Sequence, residues 1–146
     1  MNLCDVNVLV YAHRTDSSPD HSRYAEWLTT LATGPSFFAL SESVLGRFVR
    51  IVTNPRIFRD PTPTAEAFRF CEELRQRPNA RILTPGQAHW EIFRGLCQAV
   101  DARGKLVADA QHAALAIECG CEWITTDADF SRFPGLRWSH PLRVLV

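Results

Sequence analysis

The sequence predicts an α/β protein with a three-layer α/β/α architecture and a mostly parallel central sheet. Short apolar runs of the kind that form buried strands alternate with longer segments whose apolar residues recur at helical spacing. The 146 residues suit one domain, so residues 1–146 are expected to form a single unit. With 46% hydrophobic and 22% charged residues, the composition excludes a disordered chain.

The first strand is expected at residues 3–5, where it runs directly into an apolar turn or helix that ends near Arg14. After a polar loop, Asp20 is placed to cap a second helix. Four residues at helical spacing form its apolar face: Tyr24, Trp27, Leu28 and Leu31. Gly34 and the proline after it predict its end.

The middle of the chain predicts two further strand–helix units. The apolar run 37–40 predicts a buried strand, and Ser41 is placed to cap the helix that follows. Asn54, which precedes a proline, predicts the end of that helix. Another helix is expected to end by Pro78, and residues 81–83 predict a brief strand.

The last part of the chain predicts two helices and one clear strand. Residues 84–87 fit a capping box with proline at the first helical position, and Gly104 predicts the end of the helix that it opens. A further helix is expected from about Val107 to Gly120. The remaining strands are expected at 123–126 and, as a short addition, within 136–146.

The cysteines and the N-terminus predict a cytoplasmic protein. Five cysteines are an odd number without the spacing of a disulfide framework, and the first residues do not have the pattern of a secretory signal. No run of about eighteen apolar residues is present, so no membrane span is expected. Sixteen basic and sixteen acidic residues give no net charge, so the overall field does not indicate a nucleic-acid partner.

Four acidic residues are expected at one edge of the sheet. Asp5 ends the first strand and Glu42 follows the second. Asp127 follows the last clear strand, and Asp109 opens a helix. Residues beyond the carboxyl ends of parallel strands gather at one edge, so the four carboxylates are expected to meet. Like charges at about 4 Å repel by on the order of 4 kcal/mol, which a divalent cation would offset. Ligands that are all oxygen atoms favour Mg²⁺ or Mn²⁺ over Zn²⁺.

Taken singly, three of these acids also have an ordinary structural explanation. Glu42 and Asp109 would complement the dipoles of their helices, and Asp127 would be a turn residue. Asp5 is different, because apolar residues flank it and a buried acid needs a partner, a ligand or a proton. The joint placement therefore favours a metal site.

Four segments, taken in order, resemble the PIN-domain ribonucleases, and more specifically the VapC-type toxins of bacterial toxin-antitoxin pairs. They are LCDVNVLVYA, SESVLGRFVRIVTNPRIF, GKLVADAQHAALAIECG and WITTDADFSRFPGL, and they extend from residue 3 to about residue 136. The TNPRIF stretch is most similar to a mycobacterial-type subgroup. The resemblance implies a PIN-like domain and a Mg²⁺- or Mn²⁺-dependent endoribonuclease that leaves 5′-phosphate and 3′-hydroxyl ends.

The resemblance assigns residues to that activity. It gives the metal-binding and catalytic roles to the four acids named above. It gives supporting roles to three neighbours, namely Asn7, Thr126 and Asp129. Lys105 is a departure, because many relatives carry Asn there, and it would place a cation near the scissile phosphate.

The resemblance also implies partners for the protein. These are an RNA substrate, a second copy in a homodimer, and a small VapB-type antitoxin whose C-terminal tail lies over the active groove. An arginine of such a tail would pair with the acids. Basic residues close in sequence to the acidic edge are candidate phosphate contacts. They are Arg14, Arg47, Arg50, Arg103 and Lys105.

Two other functions stay open at this point. Asp5 and Asn7 after a strand are faintly similar to the nucleophile loop of haloacid-dehalogenase-type phosphatases, which carry a second Asp where this chain has Asn7. The other alternative is a non-catalytic RNA-binding or interaction module. No nucleophile elbow, Walker A loop or dinucleotide fingerprint is present, so those enzyme classes are without support.

Overall fold

Five short strands form one parallel sheet in the order β3-β2-β1-β4-β5 in the computed structural model, which describes residues 1–143. The strands are β1 (Asn2–Cys4), β2 (Phe38–Ser41), β3 (Ala80–Leu83), β4 (Glu122–Ile124) and β5 (Trp138–Ser139). The predicted α/β class and parallel sheet are confirmed.

Six helices flank the sheet, which gives the predicted layers. They are α1 (Val6–His13), α2 (His21–Thr33), α3 (Glu42–Val52), α4 (Thr64–Arg75), α5 (His89–Val100) and α6 (Lys105–Glu118). Helices α1 and α2 pack together, as do α5 and α6, and α3 contacts both α1 and α4. A short 3₁₀ helix, Ala128–Arg132, follows β4.

The strand order places a topological switch point at β1. The chain moves outward from β1 to β2 and β3, and then returns to β4 on the other side of β1. Leu3 of β1 is paired with Ala39 of β2 and with Trp123 of β4. Ligands of open parallel sheets bind where the strand order reverses, at the carboxyl ends of the strands. In this protein that position is the gap between the ends of β1 and β4.

The core lies between the sheet and its helices. Leu3, Phe38, Phe48 and Trp123 are completely buried, and fully burying such side chains stabilises a fold by roughly 1.5–3 kcal/mol each. Helix α6 contributes small side chains, and these allow it to pack closely. They are Ala110, Ala113, Ala114 and Ala116. This packing fixes the start of α6 close to the carboxyl edge of the sheet.

The predicted capping box at residues 84–87 is wrong. Helix α5 begins at His89, and Glu118 at the end of α6 binds the preceding loop instead. The Glu118 carboxylate accepts hydrogen bonds from the backbone N–H of Gly86 at 2.7 Å and of Ala88 at 3.0 Å. A tertiary contact from another helix therefore satisfies the donors that a local cap would have taken.

One helix start and two helix caps also differ from their predictions. Helix α6 begins at Lys105 rather than near Val107, after Gly104 with its positive φ of 56°, so Asp109 lies in the second turn. Asp20 and Ser41 occupy the positions before α2 and α3 but make no side-chain capping bond. Each side chain has another partner instead. The Asp20 carboxylate lies 3.5 Å from the guanidinium of Arg23, and the hydroxyls of Ser41 and Ser43 form a hydrogen bond.

The end of the chain forms the short strand predicted there, although only part of the segment is described. Strand β5 lies inside the predicted 136–146 segment, and residues 144–146 lie outside the described part of the chain. At the start of β2, Phe37 is half exposed beneath the guanidinium of Arg81 rather than buried as predicted. Among the helices of residues 1–143, none has the length and apolarity to cross a membrane.

Candidate active site

Asp5 lies at the switch point, between the end of β1 and the start of α1. Its side chain is 5% exposed. One carboxylate oxygen accepts from the backbone N–H of Val6 at 2.6 Å, and the other accepts from the hydroxyl of Thr125 at 2.7 Å. The backbone N–H of Asp5 donates to the carbonyl of Ile124. The carboxylate is therefore fixed both to its own helix and to the end of β4.

Asn7 ties the loops after β1 and β4 together. Its amide nitrogen donates to Asp5 at 3.3 Å and to the Thr125 hydroxyl at 3.4 Å. Its carbonyl oxygen accepts from the backbone N–H of Thr126 at 3.4 Å. Asn7 therefore holds the Asp5 carboxylate and the loop after β4 in a fixed relation.

Thr125, rather than the neighbouring Thr126, supplies the supporting hydroxyl. Thr125 is completely buried, donates to Asp5 and accepts from the backbone N–H of Asp127 at 3.0 Å. Thr126 contributes its backbone N–H. Side chains alternate between the two faces along a strand, so adjacent threonines at its end cannot both point to Asp5. The register, which pairs Cys4 with Ile124, then favours Thr125 because it is the residue opposite Asp5.

Three of the four predicted acids line one cavity of about 240 Å³, which we call the aspartate cavity. Its polar walls come from Asp5, Asn7, Arg47, Lys105, Asp109 and Asp127. Asp127 precedes the 3₁₀ helix, and its carboxylate accepts from the backbone N–H of Asp129 at 2.9 Å. Asp129 therefore supports Asp127 through its main chain.

Burial and mutual repulsion act on the acids of this cavity. Burial raises the pKa of Asp5, and the charge of Asp127 adds to that rise. Hydrogen bonds from Thr125 and Val6 and the charge of Arg47 lower the Asp5 pKa in part. Burial likewise raises the pKa of Asp109, and the charges of Asp5 and Asp127 raise it further. Burial is therefore the main reason that the charged forms of these two carboxyl groups are disfavoured, and the like charges add to it.

Lys105 is the cation nearest to this cluster. Its ammonium lies 3.5 Å from the Asp127 carboxylate, and its charge lowers the pKa of Asp109. The three aspartates offer only oxygen ligands, the kind that Mg²⁺ and Mn²⁺ prefer. Within residues 1–143, no three His, Cys, Asp or Glu side chains are arranged to hold a metal ion. The oxygen ligands of the three aspartates fit a hard divalent cation. In this structure, however, the ammonium of Lys105 is the counter-ion of Asp127.

The structure does not bring Glu42 to the other three acids. Its side chain is 68% exposed, and its carboxylate lies 3.9 Å from Arg75 of α4. Glu42 begins α3 after β2, as predicted, but it lines a neighbouring cavity rather than the aspartate cavity. The expectation that all four carboxylates meet therefore holds for Asp5, Asp109 and Asp127 alone.

The five candidate phosphate contacts fall into two groups. Arg47, Arg50 and Lys105 line a larger cavity of about 670 Å³, which we call the flanking cavity. Arg47 and Lys105 also line the aspartate cavity, so the two cavities adjoin. Arg103 is mostly exposed and forms an ion pair with Asp101.

Arg14 has a structural role in place of the predicted phosphate contact. Its guanidinium pairs with Asp16 through two hydrogen bonds, at 2.9 and 2.6 Å. It also donates to the carbonyl of Asp60 and to the hydroxyl of Thr62, and it stacks over the ring of Phe58. We call these five residues the Arg14 clamp. Nearby acceptors use most of the guanidinium's donors, which leaves few for the predicted phosphate contact.

Comparison with known proteins gives consistent matches over nearly the whole chain. The family model described as PIN domain matches residues 3–136. The VapC ribonuclease Mb2897 of Mycobacterium bovis is 46% identical over 141 residues, which cover 96% of this chain and 95% of that protein. Ribonuclease VapC25 of Mycobacterium tuberculosis is 39% identical over 141 residues, which cover 97% of this chain and 99% of that protein.

Solved structures share the fold. One is the VapBC2 complex from Rickettsia felis, which is bound to a DNA fragment from its promoter. A chain of that complex aligns with this protein with a TM-score of 0.69 at 20% identity, and the alignment covers 95% of this chain and 97% of that chain. VapC20 of Mycobacterium tuberculosis, described as a sarcin-ricin loop cleaving toxin, aligns with a TM-score of 0.64 at 18% identity, covering 94% and 99%. The family model and the sequence relatives span almost all of this chain, so it belongs to the PIN-domain family and, within it, to the VapC proteins.

Proposed function

We propose that this protein is a metal-dependent endoribonuclease and the toxin of a toxin-antitoxin pair. The observation that carries the proposal is the aspartate cavity, where Asp5, Asp109 and Asp127 lie together at the switch point of a parallel sheet. The pKa values of two of these acids are raised by burial and by like charge, so the site favours binding of a cation. The relatives that carry ribonuclease names support RNA as the substrate.

Asp5, Asp109 and Asp127 would hold Mg²⁺ or Mn²⁺, with Lys105 moving away from Asp127. Such an ion, when bound, lowers the pKa of a coordinated water and stabilises charge on a phosphate during in-line attack. Glu42 remains a predicted site residue on the wall of the flanking cavity, with its carboxylate 3.9 Å from Arg75.

The chain's own groups position the carboxylates and attract the RNA. Thr125 and Val6 bind both oxygens of Asp5, so its carboxylate has one fixed orientation. Arg47 and Lys105 line both cavities, and Lys105 would contact the phosphate that enters the site. Positive charge at this boundary offsets the repulsion between RNA and the three aspartates.

The geometry gives the phosphatase alternative no support. In that class the acid two residues after the nucleophile moves a proton, whereas Asn7 is an amide that cannot do so. Its side chain is held by Asp5, Thr125 and the backbone of Thr126. Both oxygens of Asp5 accept hydrogen bonds, which makes the carboxylate a poorer nucleophile.

We propose a VapB-type antitoxin and a second copy of this chain as partners, in the cytoplasm. The solved structures that share the fold include VapBC complexes from Rickettsia felis and Haemophilus influenzae, which supports the antitoxin. Co-expression with the product of an adjacent gene is expected to give a stable complex, and light scattering of the purified protein is expected to give the mass of a dimer.

The proposal is tested by mapping RNA 5′ ends after expression of the wild type and of Asp5→Asn. The wild type is expected to produce discrete new ends, and the purified protein is expected to cut the same sites with Mg²⁺ or Mn²⁺ but not with chelator. Asp5→Asn should lower cleavage more than about a hundredfold, because metal stabilisation of the transition state is worth several kcal/mol.

Asp20→Asn is the matched control, because Asp20 is an exposed acid paired with Arg23 on α2. It should cleave like the wild type, and circular dichroism should show both variants folded. Full activity in a folded Asp5→Asn protein would rule out the assigned site. If the wild type and the Asp5→Asn variant gave identical maps of native RNA, the non-catalytic binding module would be favoured instead.

A further inference from the structure

The flanking cavity is a second ligand site beside the aspartates. We propose that it binds a guanine nucleotide next to the scissile phosphate, and so selects the RNA sequence that is cut. This proposal rests on the ribonuclease function proposed above. It adds a substrate subsite whose residues are not the aspartates.

Position and size both suit a nucleotide. The flanking cavity has a volume of about 670 Å³, within the range of roughly 300–1,000 Å³ typical of small-ligand sites. It shares Arg47 and Lys105 with the aspartate cavity. An RNA strand whose phosphate lay at this shared boundary would place an adjoining nucleotide inside the flanking cavity.

The charged walls of the cavity suit a polyanion. Three cations line it, Arg47, Arg50 and Lys105, against the single carboxylate of Glu42. That carboxylate is already close to Arg75. The excess of positive charge favours a phosphate-bearing ligand over a neutral or cationic one.

Two buried nitrogens in the cavity walls have no partner among the described residues. They are Nε of Arg47 and Nδ1 of His89. A buried polar group left without a hydrogen bond costs about 1–3 kcal/mol, so such groups are rare without a function. Both atoms have almost no accessible surface, so a ligand would reach them only once the side chains turned toward the cavity. The Arg47 Nε–H would then take an acceptor, whereas the tautomer of His89 decides whether its Nδ1 takes an acceptor or a donor. Glu118 fixes the loop before His89, which holds that side chain beside the cavity.

Guanine is the base whose edge matches these donors best. Its O6 and N7 are two adjacent acceptors, and an arginine binds them through two parallel hydrogen bonds. Arg47 has its Nε–H unused, and Gln111 on the cavity wall offers a further amide. Adenine presents a donor beside its N7 and would oppose the donors of Arg47. Unpaired bases in RNA expose these edges to a protein.

The test measures binding without catalysis. The Asp109→Asn variant, kept in chelator, is titrated with four labelled uridine-rich pentaribonucleotides that differ only in the central base. The oligonucleotide with guanine should bind about tenfold more tightly than the other three, since a good two-bond contact discriminates by about 1–3 kcal/mol. Equal affinity for the four would overturn the proposal.

A second set of variants tests whether the preference for guanine arises in the flanking cavity. Arg47→Lys keeps the charge but loses the fork of donors, so the preference should fall to within about twofold while overall affinity changes little. His89→Ala on α5 should weaken the preference as well. Arg94→Lys is the control, because Arg94 lies on the same helix and pairs with Glu91. It should retain the full preference.

A guanine preference that survives in both Arg47→Lys and His89→Ala would place the selective contact elsewhere and overturn the proposal. The two proposals fail separately. Absence of metal-dependent cleavage by the wild type would remove the ribonuclease function, whereas cleavage without base preference would remove only the subsite.

Discussion

The two ends of α1 carry opposite charges in opposite kinds of surroundings. At the C-terminal end, the Arg14 guanidinium donates to Asp16, to the carbonyl of Asp60 and to Thr62. At the N-terminal end, Asp5 accepts from Thr125 and from Val6 of its own helix. Asp5 also lies near Asp109 and Asp127, whose charges repel its own.

This difference distinguishes a charge that stabilises the fold from a charge that is available to bind a ligand. The charge of Arg14 is matched by partners within the chain, so its burial contributes to stability. Burial raises the pKa of Asp5 and of Asp109, which disfavours their charged forms, and a bound cation would favour those forms. Both ends complement the dipole of α1, and therefore the dipole does not distinguish them.

Breaking the Arg14 clamp should have the larger effect on folding. Arg14→Ala is expected to lower the free energy of unfolding by about 2 kcal/mol, because it removes the hydrogen bonds to Asp16, to the Asp60 carbonyl and to the Thr62 hydroxyl together with the stacking on Phe58. RNA affinity should be unchanged in the folded variant. Urea denaturation and an RNA-binding titration measure the two effects.

Arg103→Ala is the matched control for the clamp. Arg103 forms one ion pair with Asp101, and both side chains are more than four-fifths exposed. Its loss should change stability by less than about 0.5 kcal/mol. If Arg14→Ala lowered the free energy of unfolding as little as Arg103→Ala does, but weakened RNA binding, Arg14 would be a phosphate contact.

At the other end of α1, removing a charge should stabilise the protein. Asp109→Asn is expected to raise the melting temperature at neutral pH, without divalent metal, by about 2–4 °C, the shift that roughly 1 kcal/mol produces in a chain of this size. The reason is that Asp109 is buried and its pKa is raised by burial and by the charges of Asp5 and Asp127. The same variant should lose RNA cleavage.

The sign of the pH dependence follows from the raised pKa of Asp109. A carboxyl group whose pKa is higher in the folded state contributes stability below its ordinary pKa, and that contribution is lost as pH rises through the folded value. The advantage of Asp109→Asn should therefore be absent in acid and appear as pH rises through the folded pKa of Asp109. An advantage of equal size at every pH would mean that packing, rather than charge, is responsible.

The sequence alone predicts one end of α1 better than the other. An acid between apolar residues after a strand has few structural explanations, so Asp5 is predictable, and so is its place at the edge of the sheet. Arg14 is not, because its partners Asp60 and Thr62 are more than forty residues away along the chain. Closeness in sequence to the acids predicts a contact with RNA for Arg14, whereas the packed structure shows it bound to a distant loop.

Other differences have the same physical origin. The residues before α5 have the composition of a local cap, but Glu118 from α6 supplies the acceptors. Glu42 follows β2 as predicted, but Arg75 of α4 lies near its carboxylate. The local sequence pattern predicts the order of strands and helices. Contacts between side chains that are distant along the chain can be seen only in the packed structure.

Lys105 offers the finest test of the charge balance at the aspartate end. Its ammonium lies 3.5 Å from Asp127, in competition with any divalent ion that the carboxylates would bind. Lys105→Met keeps much of the side-chain length but removes the charge. Mn²⁺ affinity measured by calorimetry should therefore rise about 1.4- to fivefold, which corresponds to the roughly 0.2–1 kcal/mol of an exposed ion pair. RNA affinity should fall, and the slope of log affinity against log salt concentration should decrease in magnitude by about 0.7 if one phosphate contact is lost.

Opposite changes in metal and RNA affinity would show that the same ammonium neutralises the aspartates in the free protein and contacts phosphate in the complex. A decrease in both affinities would show instead that Lys105 holds the start of α6 in place and that its charge is not what matters.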